Sequence, residues 1–207
     1  MVCMLTINCC CAVRSRTGAL MTIRHRDPEP TRANRETVLQ RWRDREADLR
    51  SRMRPVGVSQ REEFLARSGI EAFEAMFAGE LPYPPISHTL KFLLVEASLG
   101  RAVFQGRPLF EHYNPIGHVH GGWITTLLDS AVACAVHTTL PQGRTYTTVE
   151  LKVNFVRPVT EEVELVRAVG ETIHVGNRIA TSDGSLLGPD GTLYAHATST
   201  CIIFEPA

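Results

Sequence analysis

The chain has 207 residues, with 22 Lys and Arg against 22 Asp and Glu, enough for one domain with a real core plus an appendage. The balanced charge excludes the strongly basic composition of a general nucleic-acid coat. Six cysteines without one Cys-x-x-Cys pair exclude the usual zinc framework.

Charge is not balanced locally. Residues 1–54 carry twelve Arg against six carboxylates, a net of +6, which leaves −6 for the remainder. The acids recur at helical spacing among the arginines, so this arm reads as a solvated helix face and no nucleic-acid partner is expected. Cys3, Cys9, Cys10 and Cys11 open the chain, but no basic region or small-x-small cleavage pattern accompanies them. Residues 1–33 read as a disordered or linker extension, of which 1–20 would be dispensable if Met21 is the true start. No stretch is long and apolar enough to span a bilayer, and a cytoplasmic location is the default expectation.

Residues 34–80 read as a helical segment. Asn34–Met53 is a charged helix with few apolar residues (Val38, Leu39, Trp42, Leu49). Ser59-Gln60-Arg61-Glu62 has the form of a capping box, opening a second helix that breaks at Gly69 and resumes through Ile70–Phe77. Leu81-Pro-Tyr-Pro-Pro85 reads as an extended connector. Residues 81–207 then turn to strands: Leu90–Ala97 and Arg101–Gln105 around Ser98-Leu99-Gly100, then Thr145–Val156, Glu162–Ile173, Arg178–Leu187 and Thr192–Phe204. In Thr148–Phe155 apolar Val149, Leu151, Val153 and Phe155 alternate with polar residues, as on a half-buried strand. The order predicts an α+β fold, an antiparallel sheet wrapped on one helix.

That helix is the centre of the chain. From Gly122 to Val136 apolar residues occupy nearly every angular position, the pattern of a buried helix. Asp129 lies in its middle, where a carboxylate is costly unless paired or used. It can cap an amide, pair with a cation, or act as base or nucleophile with a pKa raised by burial. Gly121-Gly122 either permits close helix–sheet packing or leaves helix N-terminal amides open to a developing oxyanion. His120 and Asn114, just upstream, can donate to the same carbonyl. Gly121 and Asp129 are eight residues apart, about 12 Å along one helix, too far to serve one carbonyl from one copy. If both are catalytic, the active unit is at least a two-fold dimer with composite sites.

Three linked motifs stand in order: Asn114-Pro-Ile-Gly-His-Val-His120-Gly-Gly, Leu127-Leu-Asp129-Ser-Ala, and Thr147-Thr-Val-Glu-Leu-Lys-Val-Asn-Phe-Val-Arg157-Pro158. With His174-Val-Gly-Asn-Arg178 and Asp190-Gly-Thr-Leu-Tyr-Ala-His196, they resemble the hotdog-fold acyl-CoA thioesterases of the phenylacetic-acid-degradation (PaaI-like) type, over roughly residues 70–204. The resemblance implies a sheet around the central helix and a homodimer or homotetramer. It implies that Asp129 activates water or attacks the thioester, with Gly121 as oxyanion amide from the other protomer. His120 and Asn114 would flank the thioester, and Thr148 would orient the water. Thr147 is adjacent, and strand alternation favours Thr148 because it shares a face with Glu150.

Coenzyme A would enter as part of the substrate, not as a cofactor, and its phosphates need cations. Arg178 in the Gly176-Asn177-Arg178 turn is the first candidate and Arg157 the second. His118 departs from the smaller or hydroxylic residue usual at its place. His118-Val-His120 lacks a third convergent ligand, so no metal is expected. His137, His174 and His196 read as structural, and Trp123, Phe77 and Met76 as residues that set pocket depth. Two other functions compete: an enoyl-thioester hydratase, disfavoured because Cys134 stands where Asp129-x-x-x-x-His is needed, and a non-catalytic acyl-CoA sensor.

Overall fold

The computed structural model describes residues 32–206, so the expectations for the cysteine-rich opening lie outside the described residues. Helices α1 (Arg32–Arg52), α2 (Arg61–Leu65), α3 (Gly69–Ala78) and α4 (Pro85–Thr89) precede the hairpin β1 (Phe92–Ser98) and β2 (Arg101–Gly106). Helix α5 (Gly121–His137) follows, then β3 (Thr145–Phe155), β4 (Val166–Val175), β5 (Ile179–Leu187) and β6 (Leu193–Phe204). The strands form one sheet in the order β1-β2-β4-β5-β6-β3, every neighbouring pair antiparallel. It is the predicted sheet wrapped on a helix, with α5 touching all six strands.

Two properties let α5 lie so deep. Its Leu127, Leu128, Ala131, Val132, Ala135 and Val136 are fully buried, consistent with a helix apolar all round. Gly170 and Gly184 face each other across β4 and β5; a Cβ there would stand 2.2 Å from the Ala131 carbonyl oxygen and 2.6 Å from Val132 Cγ1. These strands lack side chains where the helix presses closest. The row Leu94–Phe104–Ala168–Leu186–Ala195 runs across the concave face.

The convex face is treated differently. There Leu93, Gln105 and Arg167 form a buried row bonded to α1. Gln105 Nε2 donates to the Trp42 carbonyl and to Glu46. Arg167 donates to Gln105 Oε1 and Glu96 and stacks on the Trp42 ring at 4.6 Å. Arg45 donates to the Val95 carbonyl, and Arg43 forms a two-pronged pair with Glu164. Thus α1 is not solvated all round. Leu39, Trp42, Arg45, Glu46 and Leu49 recur at helical spacing, and this stripe holds to the sheet by polar contacts as much as apolar ones.

Several local expectations change. Gln60, not Ser59, caps α2 and makes no side-chain cap bond. The capping box forms instead at Ser68 and Glu71, so Gly69 begins α3 and does not interrupt a longer helix. Pro85 starts α4, as a residue needing no amide partner at a helix N-terminus can. The strand expected from Glu162 begins only at Val166, after a 3-10 turn at Glu161–Val163. Among the described residues no helix is long and apolar enough to cross a membrane.

Candidate active site

The N-terminus of α5 is the first part of the site. His120 caps the helix: its Nδ1 accepts from the Gly122 N–H at 2.8 Å, which leaves the proton of a neutral imidazole on Nε2. The His120 carbonyl accepts from Trp123 and Ile124. Of the first four amides, the Gly121 N–H alone has no acceptor among the described residues. An unbonded amide at the positive end of a four-turn helix is a ready oxyanion donor. A Cβ on Gly121 would stand 3.0 Å from the Phe155 ring, so glycine admits that ring beside the amide.

Asn114 builds the loop that leads in. Its Oδ1 accepts from the amides of Ile116 and His118, both at 3.1 Å, closing a turn in which Gly117 takes φ +86°. Nδ2 has no partner among the described residues. Asn114, His118, Gly121 and Arg157 line a cavity of 400 Å³. Arg157 is partly committed, because one guanidinium nitrogen donates to the Leu193 carbonyl at 2.9 Å.

Asp129 belongs to a different cavity, of 770 Å³. Thr148 Oγ1 donates to its Oδ1 at 3.2 Å. Burial raises the Asp129 pKa from its ordinary value, and the Thr148 hydroxyl opposes the shift in part. Ser130 and Thr126 return their hydroxyls to carbonyls of α5, so they do not compete for the carboxylate. Cys134 contacts the Tyr146 hydroxyl, and burial pushes its thiol up to about 12. It stays protonated at neutral pH and is a poor nucleophile.

Thr148, not Thr147, meets Asp129, but not for the reason strand alternation offered. A bulge between Thr148 and Glu150 breaks the register of β3 with β6. Upstream of it Thr148 faces α5; downstream Leu151 and Val153 do, while Val149 is 51 % exposed. Thr148 therefore shares the inner face with residues of opposite parity.

In one chain, then, the expected residues fall into two groups. Asp129 and Thr148 are together; Asn114, His120, Gly121 and Arg157 cluster about α5's other end. Gly176, Asn177 and Arg178 form the β4–β5 turn near the start of β3, away from Arg157. Arg144, which sequence reasoning passed over, donates to the Asn177 carbonyl at 2.6 Å and steadies this turn. The Arg178 side chain is exposed and pairs with no acidic side chain among the described residues.

The pocket-depth expectation also changes. Met76 lines the larger cavity, with Phe64 and Phe73. Trp123 instead packs on His112 and donates to the Leu90 carbonyl, and Phe77 lies against Arg45. His137 lines the same cavity as Asp129, two helical turns on along one face, a relation that its spacing could have revealed. No group of three or more His, Cys, Asp or Glu able to hold a metal occurs among the described residues.

The thioesterase superfamily profile matches residues 116–195. A presumed esterase of Halobacterium salinarum is 30 % identical over 88 residues, which are 42 % of this chain and 56 % of the relative, so the chain spans little more than half of that protein. The crystal structure of a phenylacetic acid degradation-related protein from Ralstonia eutropha JMP134 is 30 % identical, with a TM-score of 0.58; the match covers 63 % of this chain and 98 % of that one. A mutant of the phenylacetic acid degradation protein PaaI from Thermus thermophilus is 26 % identical, with a TM-score of 0.51, over 57 % and 97 % of the two chains.

Proposed function

Because this chain belongs to the hotdog-fold thioesterase superfamily, we propose that it hydrolyses acyl-CoA thioesters by water attack assisted by Asp129. The observation that carries this reading is a partly buried carboxylate with a raised pKa, held by Thr148 and lining a cavity large enough for a small-molecule ligand. A carboxylate so placed is a better base than an exposed one. In the step, Asp129 takes a proton from water oriented by Thr148, and the water oxygen bonds to the thioester carbon. The carbonyl oxygen becomes an oxyanion facing the Gly121 amide and His120 Nε2. The C–S bond then breaks, and the coenzyme A thiolate receives the proton from Asp129.

The oxyanion group comes, on this reading, from a second copy. Strand β3 is a sheet edge, with Val149, Phe155 and Val156 exposed. An edge of this kind is a template for another strand. Antiparallel two-fold pairing of β3 centred on Lys152, with the bulge between Thr148 and Glu150 taking up one residue in each strand, puts Thr148 of one copy opposite Phe155 of the other. Since Phe155 touches Gly121 and Thr148 touches Asp129, that pairing joins the two half-sites twice. Arg157, beside Gly121, and Arg178, in its braced turn, are the assigned cations for the coenzyme A phosphates.

The test is release of free thiol from a panel of acyl-CoAs. Asp129→Asn is expected to keep fold and assembly and to lower kcat by about 10²–10⁴, the usual contribution of a general base. Full turnover in that variant ends the assignment. Ligand binding without turnover in the unaltered protein selects the sensor reading.

A further inference from the structure

The larger cavity owes much of its wall to the segment before the sheet. Strands β1 and β3 are the two edges of the sheet, and between them one face of α5 is left open to a slot. Helices α2–α4 roof that slot. The roof is fixed at three places: Gly69 donates to the Leu140 carbonyl at 2.9 Å, Gly143 to the Leu65 carbonyl at 3.0 Å, and Tyr83 Oη to the Leu94 carbonyl at 3.1 Å. At Gly69 the fit is so close that a Cβ would stand 1.7 Å from the His137 carbonyl oxygen. The Ralstonia structure, 98 % covered, matches 63 % of this chain, and the superfamily match begins at residue 116.

The slot has a measurable length. Asp129, Ala133 and His137 lie on one stripe of α5 and line the cavity, with eight residues, or about 12 Å, between the first and the last. At its far end Phe64 of α2 stacks on His137 at 5.3 Å, Phe73 of α3 meets it edge-on at 5.2 Å, and Tyr146 closes the third side at 5.5 Å. The imidazole nitrogens are buried without a hydrogen-bond partner, and the packed rings close the end of the slot as an aromatic wall. An extended hydrocarbon advances roughly 1.25 Å per carbon, from ordinary bond lengths and angles, so about 12 Å corresponds to roughly eight to ten carbons.

We propose that the α2–α4 roof makes the Asp129 cavity a measuring slot for an unsubstituted medium-chain acyl group of roughly eight to ten carbons, with Phe64, Phe73 and His137 as its end stop. This rests on the reading of Asp129 as the thioester end. Shorter chains leave the slot part empty, and longer ones meet the stop.

Two variants move the limit in opposite directions, which separates the effect from misfolding. Ala133→Phe plugs the slot halfway. It is expected to lower kcat/KM for octanoyl- and decanoyl-CoA by at least about tenfold relative to acetyl- and butanoyl-CoA, a size to be expected when several methylenes lose their place. Phe64→Ala opens the stop and is expected to move the optimum up by two or more carbons. The same series of non-hydrolysable S-alkyl-CoA thioethers, measured by calorimetry, reads the slot without turnover. An unchanged chain-length profile in both variants overturns the slot while leaving hydrolysis standing. Shifted thioether binding in a protein that releases no thiol upholds the slot and removes the hydrolase reading.

Discussion

The two ends of α5 are built on opposite principles. At the N-terminus the working groups are backbone and polar: an open Gly121 amide, a capping His120 and the Asn114 turn, around a cavity that also takes in Arg157. Toward the C-terminus the walls are aromatic and aliphatic, and Asp129 is the carboxylate within them. Negative charge meets open donors at the first end, while at the second a partly buried carboxylate stands beside apolar walls. One helix thus offers an oxyanion-holding surface and a desolvated base, but along its axis they stand too far apart to act on one carbonyl. On the proposed reading, either end is half of a reaction centre.

This contrast can be broken at the polar end. Gly121→Pro removes the open amide while keeping the helix, because proline suits the first helical position and His120 already has the extended backbone that precedes a proline. The Phe155 ring it would approach is 55 % exposed and can turn aside. A loss of about 10²–10³ in kcat is expected. Mixing this variant with Asp129→Asn by joint refolding sharpens the point. If sites are shared between copies, half the pairs carry one intact site and about a quarter of the activity returns. No recovery places both half-sites in a single chain.

A smaller effect is expected at the hydroxyl beside the base. Thr148→Val deletes the hydroxyl that holds Asp129 and opposes its raised pKa. The acid limb of the kcat/KM profile is expected to move to higher pH, with a loss near neutrality of about tenfold, one hydrogen bond to a charged group. An unmoved limb separates Thr148 from the titrating group.

The mildest test reads stability at the apolar end. Burial lowers the His137 pKa from 6.5 to about 4. Between those values the unfolded chain binds a proton that the folded chain does not, so unfolding free energy rises with pH across that window and falls as it is acidified. One such group contributes a slope of at most about 1.4 kcal/mol per pH unit. His137→Phe is expected to flatten that part of the pH dependence in urea titrations at pH 4.5 and 7, while keeping the stacked rings. An equal slope in both proteins shows that His137 is not the group.

What the sequence made legible follows the same division. Helix α5, its lone carboxylate and its glycine pair could be read because they depend on local periodicity and on a peptide group's own chemistry. The roof could not. Helices α2 and α4 have five residues each, too few to form by propensity, and they exist through contacts with β1 and α5. Ser59 and Ser68 both stand three residues before a Glu, and only packing decides that Ser68 makes the box. The bulge in β3 is likewise invisible to alternation, since one added residue changes which parity faces inward.

The position of α1 bears on how copies can stack. By lying over Leu93, Gln105 and Arg167 it takes up the convex surface of β1, β2 and β4. Ile179 and Ile202, paired across β5 and β6, remain exposed with Phe204 on the uncovered half. A second sheet laid against this convex face would meet α1 over β1, β2 and β4 and would find uncovered apolar side chains on β5 and β6.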